Sequence, residues 1–183
     1  MGEVVYDLSL AYIASWIFYV VVVTIPKSRN DKNINVHISR IVDRIIQEGS
    51  SVLHGLSSST ANRQIEMPEN EFKALCHRIG PDSVQDLFMT VTEKRPITYL
   101  QHINSVREIV TKQTQILFIY ISHLDPELIR LVNDIVYCQL ISDLDYYFLY
   151  KKYRFETFEN ISDPLYVFYS KIHQLKKYQQ RNM

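Results

Sequence analysis

Residues 8–25 read LSLAYIASWIFYVVVVTI, eighteen consecutive positions without a charge, fenced by Asp7 and Lys27. At a rise of ~1.5 Å per residue a helix of this length spans roughly 27 Å, close to the roughly 30 Å hydrocarbon core of a bilayer. Val4, Val5 and Tyr6 extend it enough to allow a small tilt. Its polar interruptions are Ser9, Ser15 and Thr24, whose hydroxyls can return to a carbonyl one turn back and so cost little in lipid. The β-branched residues at 20–25 would suit a strand, but globular strands average about five or six residues. A cleaved leader would need basic residues before the run and a small-residue site after it. Glu3 and Asp7 precede it instead, and Thr24-Ile25-Pro26-Lys27 follows. The stretch reads as one retained transmembrane helix, an anchor over residues 1–26.

The flanks orient it. No Lys or Arg precedes the run, whereas Lys27, Arg29, Lys32, Arg40 and Arg44 follow. Positive residues stay on the cytoplasmic side, which predicts an N-terminus outside and residues 27–183 in the cytoplasm of a bacterial-type inner membrane. Two cysteines, Cys76 and Cys138, without regular spacing suit a reducing compartment. Trp16 falls near the middle of the span, although tryptophan favours the headgroup level. Ala11 and Ser15 form a small-xxx-small pair that lets helix backbones approach closely. Ala11, Ser15 and Trp16 are therefore the expected oligomerisation face, and the expected assembly is a homo-oligomer.

Over the whole chain 20 basic residues balance 20 acidic ones, so no global field favours nucleic acid or acidic substrates. Four glycines leave few tight turns and no phosphate-cradling loop. Residues 27–63 read as a juxtamembrane helix and linker. Ile34, Ile38, Ile41 and Ile45 form a stripe with Val42 and Ile46 beside it, Gly49-Ser50-Ser51 weakens the helix, and SSSTANR at 57–63 is the linker. Residues 64–183 read as a cytoplasmic all-α domain. Pro26 closes the anchor, and the other five prolines each open an apolar period of 3.6 residues. Phe72, Leu75, Cys76 and Ile79 follow Pro68, and Val84, Leu87, Phe88 and Val91 follow Pro81, which predicts a helical hairpin. From Pro96, Leu100, Ile103, Val106, Val110, Gln113, Leu117, Tyr120 and Leu124 alternate steps of three and four. ILFIYI at 116–121 is apolar on every side, so this helix is expected at the centre of the bundle. Asp125-Pro126-Glu127 is a helix start, and its helix runs through Leu128, Leu131, Val132, Ile135, Val136 and Leu140 toward Phe148. Asp163-Pro164 starts the last helix, with Leu165, Phe168, Ile172 and Leu175 on one face. The fold class is all-α: one N-terminal transmembrane helix followed by a cytoplasmic helical bundle.

There is no P-loop, GxGxxG, HExxH or zinc-like CxxC spacing, so no cofactor and no metal site is implied. Cys76 and His77 point about 100° apart on a helix, too far to act as nucleophile and base, and Cys76 fits the apolar stripe. Asp143 and Asp145 lie on different faces and, with Asp134, mark a solvated side. His37, His54, His123 and His173 are isolated. Arg95 and His102 have an Arg-x(4–6)-His spacing that resembles the active-site motif of HEPN-type ribonucleases, small all-α domains. That resemblance implies RNA cleavage across a dimer, with these two residues as the catalytic pair. Aromatic residues crowd 137–169, with Lys151, Lys152 and Arg154 among them. Interleaved aromatics and cations can stack on bases and neutralise phosphates, and they can equally pack two helices with hydroxyls in water. Tyr150, Lys151, Lys152, Tyr153 and Arg154 are the candidate site for an anionic small molecule or nucleotide. Lys171, Lys176, Lys177 and Arg181 make the final helix basic, able to lie on an anionic leaflet or to keep its lysines in water. The expected protein is a membrane-anchored effector that works by oligomerisation and ligand binding, not catalysis. The alternatives are a tethered ribonuclease and a plain subunit that needs a membrane-complex partner.

Overall fold

The computed structural model describes residues 2–56, 67–80, 82, 84–89, 96–145 and 157–182. It is predominantly helical. The elements are α1 (Gly2–Tyr19), a π-helical turn (Val20–Thr24), α2 (Ile25–Leu56), α3 (Glu69–Cys76), β1 (Val84–Met89), β2 (Pro96–Thr98), α4 (Tyr99–Phe118), α5 (Pro126–Val136), α6 (Gln139–Ser142) and α7 (Ser162–Asn182). Short 3-10 turns at Ile121–His123 and Phe158–Ile161 precede α5 and α7. The chain divides into two compact units, Met1–Ile38 and Ser39–Met183, with the division inside α2. The linker expected at 57–63 lies outside the described residues.

In the first unit, Pro26 does not end a helix. Helical backbone passes through it, and the π turn just before it shows how. Proline has no amide to return to the carbonyl four residues back, and the Ile25 amide reaches instead to the Val20 carbonyl. The wider turn absorbs the missing bond. It also divides the apolar run, so that among the described residues no single helix is long and apolar enough to cross a membrane.

The second unit buries the expected stripes. On α2, Ile41, Val42, Ile45 and Ile46 are buried, and the helix continues through Gly49 instead of weakening there. A Cβ on Gly49 would overlap Ile172 Cδ1 and lie 2.7 Å from Cγ1, so the glycine admits α7. Leu165, Phe168, Ile172 and Leu175 of α7 are all buried. α7 packs along α5 and α3, and Gln179 donates to Asp43 on α2 at 2.7 Å. Phe72 and Cys76 of α3 are fully buried.

Four expectations are corrected. Residues 84–89 form not the second helix of a hairpin but a strand antiparallel to 96–98, with Val84 opposite Thr98 and Gln85 opposite Ile97. Six residues with apolar groups at 84, 87 and 88 satisfy either period weakly, and pairing decides. The helix expected from Pro96 begins at Tyr99. A capping box sets that start: the Gln101 amide donates to Thr98 Oγ1 at 3.3 Å, and the Thr98 amide to Gln101 Oε1 at 2.9 Å. The apolar 116–121 stretch is not buried all round. α4 stops at Phe118, Leu117 is enclosed, and Ile119 and Ile121 are 75% and 55% exposed. The helix opened by Asp125 stops at Val136, because Cys138 is extended and starts α6. Asp125 does cap it, accepting from the Glu127 amide at 3.4 Å.

Candidate functional site

Where α2 meets α4, the buried His102 faces the half-buried Ser51. Ser51 Oγ lies 3.0 Å from His102 Nε2 and donates to the Glu48 carbonyl at 2.6 Å. One turn earlier on α4, the Tyr99 hydroxyl donates to the Val52 carbonyl. The Tyr99 ring packs against Phe158 at 5.1 Å between centroids and edge-on to His102 at 6.5 Å. A serine hydroxyl within reach of an imidazole is the arrangement of an activated nucleophile. Here its single hydrogen is committed to Glu48, so Nε2 carries the imidazole hydrogen and donates to Ser51, a tautomer assigned from the network. The proton sits on the wrong atom for a general base. His102 is only 6% exposed, and burial holds it below the usual histidine range, with a hydrogen bond to the Ser51 backbone opposing in part.

The thiols are equally inert. Burial pushes Cys76 up to about 11 and raises Cys138 as well, so neither offers a thiolate at neutral pH. Cys76 is buried as expected, and His77 caps α3 and pairs with Glu159 at 3.3 Å. Lys73 bridges Glu69 and Asp163 at 2.6 Å each, and those hydrogen bonds, Asp163 first, hold its ammonium above the ordinary lysine range. Asp145 binds Arg107 at 2.7 Å, while Asp134 pairs with Arg130 at 3.1 Å. Among the described residues no group of His, Cys, Asp and Glu could hold a metal ion.

Arg95 and the aromatic-basic stretch Tyr150, Lys151, Lys152, Tyr153 and Arg154 lie outside the described residues. Around that stretch, the described aromatics mostly pack. Phe158 and Phe168 are buried, and Phe72 stacks on Tyr169 at 5.7 Å and meets Tyr166 edge-on at 5.6 Å. Ala11, Ser15 and Trp16 stand on α1, all exposed, with Ala11 and Ser15 four residues apart on one face. The structure brings Ser51 to His102 across 51 residues of sequence, a pairing with no local signature. The sequence reading missed Ser51 for that reason. No protein family, no curated protein and no solved structure matches the chain.

Proposed function

We propose that the chain is a single-pass membrane protein whose helical body works on the cytoplasmic side by self-association and ligand binding. The observation that carries this reading is the surface of residues 8–25. A dozen large apolar side chains there are exposed, from Leu8 at 66% to Ile25 at 41%. Those on α1 are distributed all round it rather than along one stripe. A helix that is apolar on every side belongs in an apolar medium. Burying each such side chain is worth about 1.5–3 kcal/mol, so leaving the run in water would forfeit a sum larger than the stability of a typical domain. The run continues across the π turn, which keeps its backbone hydrogen-bonded within the segment, as lipid requires. Exposed Ala11 and Ser15 offer a close-approach face for a second copy. His102 is buried with its Nε2 engaged, so no described feature favours the ribonuclease alternative.

The test is extraction. Membranes holding the full chain are washed with alkaline carbonate beside a variant lacking residues 2–26. The full chain should stay in the pellet and the variant should leave it. A periplasm-only reporter fused after Met183 should be silent. Release of the full chain by carbonate would overturn the anchor, and an active reporter would reverse the orientation.

A further inference from the structure

α5 and α7 enclose a groove of about 370 Å³ that none of the features above uses. Three cations line it, Arg130 from α5 and Lys177 and Arg181 from α7, against one carboxylate, Glu127. The chain as a whole is neutral, so this local excess is a matter of placement. Leu131 adds an apolar side chain to the lining, and Gln174 and Gln180 add amide groups. We propose that this groove binds a phosphate monoester. Arg130, Lys177 and Arg181 take the phosphoryl oxygens, and the two glutamines hydrogen-bond the organic part above Leu131.

Three arguments converge on that class. Guanidinium forks match phosphate oxygens two at a time, and lysine adds a compact charge that follows a dianion. The arginines' present partners are weak competitors. Arg181 reaches Glu127 only at 3.7 Å, and Arg130 pairs with Asp134 at 3.1 Å one turn along its own helix, all four side chains being well exposed. Exposed pairs of this kind contribute little, and a dianion that engages both forks can displace them. The volume sits at the small end of the roughly 300–1,000 Å³ of small-molecule sites, which suits one phosphorylated fragment and not a polymer. The walls are fixed: Tyr178, between Lys177 and Gln179 on α7, donates to Asp125 at the start of α5 at 2.8 Å.

The inference names the ligand class for the binding activity proposed above and rests on that reading, yet the groove lies wholly within Ser39–Met183. Loss of the anchor would show in carbonate extraction without touching it. A phosphate monoester can arrive as a soluble metabolite or as a phosphatidic acid headgroup, and glycerol 3-phosphate shares its chemistry with both. The full chain in non-ionic detergent is titrated with glycerol 3-phosphate by calorimetry. It is also released from phosphatidylcholine nanodiscs doped with phosphatidic acid and examined for retained lipid by native mass spectrometry. Binding of the soluble probe supports a metabolite, and retention of phosphatidic acid without it supports the headgroup. In either arm the combined variant R130Q/K177Q/R181Q should lose about tenfold or more in affinity, as removal of charge-assisted bonds predicts. Lys112→Gln on α4 should change nothing. Glu127→Gln, which removes the groove's carboxylate, should tighten binding severalfold, and it carries the test if the triple variant fails to fold. Binding of neither probe, unaltered binding by a folded triple variant, or weaker binding by Glu127→Gln would overturn the proposal.

Discussion

Gly49 stands inside α2 where Ile172 of α7 packs against it, and its missing side chain is what leaves room for that contact. Alanine there gains up to about 1 kcal/mol of helix propensity. It also forces a methyl group into Ile172, which is 2% exposed and stiff at its branched Cβ, at a cost of about 1–3 kcal/mol. Gly49→Ala should therefore destabilise by about 1 kcal/mol in urea unfolding. Combined with Ile172→Ala it should show a coupling of similar size, because the clash is then gone. A stabilised single variant would mean that the helices are further apart. His102 makes a different prediction. Its folded pKa is depressed below the unfolded value of about 6.5, so the neutral imidazole's contribution is complete above pH ~6.5 and is lost as pH falls through the folded value. His102→Gln should lower stability at pH 8 and flatten the decline as pH falls below about 6.5. An equal slope in both proteins would place the acid sensitivity elsewhere.

At the scale of elements, the cap that starts α5 is also a tertiary contact. Asp125 accepts from its own helix and from the Tyr178 hydroxyl of α7. Tyr178→Phe keeps the ring in the core and should cost about 1 kcal/mol through the lost bond to a carboxylate. The thermal midpoint of the variant measures it, and an unchanged midpoint would make the bond incidental. The helices were largely legible in advance because their apolar residues recur at three and four. Leu100, Ile103, Val106, Val110 and Leu117 of α4 are buried as that spacing requires, as are Leu165, Phe168, Ile172 and Leu175 of α7. What was illegible depended on partners distant in sequence. Val84–Met89 became a strand because Pro96–Thr98 pairs with it. ILFIYI is apolar all round, yet the chain turns at Ile119, and local hydrophobicity cannot announce a turn. Thr98-x-x-Gln101 was readable as a capping box and marks the start of α4 better than Pro96 does.

For the whole molecule, the proposed groove was harder to read than the fold. Gln174, Lys177 and Arg181 recur at three and four on α7, so one wall of the groove is visible in sequence, but Arg130 joins it only because α5 packs on α7. Ser51 and His102 meet for the same kind of reason. The proposed anchor is the opposite case: its signal is wholly local, and what covers Leu8–Ile25 is a question of medium. Trp16 answers it most directly, since it is the chain's one tryptophan and sits mid-run, 59% exposed in the isolated chain. The full chain is reconstituted into vesicles whose lipids carry bromine at a known depth of the acyl chain, and Trp16 fluorescence is recorded. A membrane-spanning Leu8–Ile25 gives blue-shifted emission, quenched most by bromine placed deep in the acyl chain. Emission typical of water, with no quenching at any depth, would contradict a membrane-spanning Leu8–Ile25.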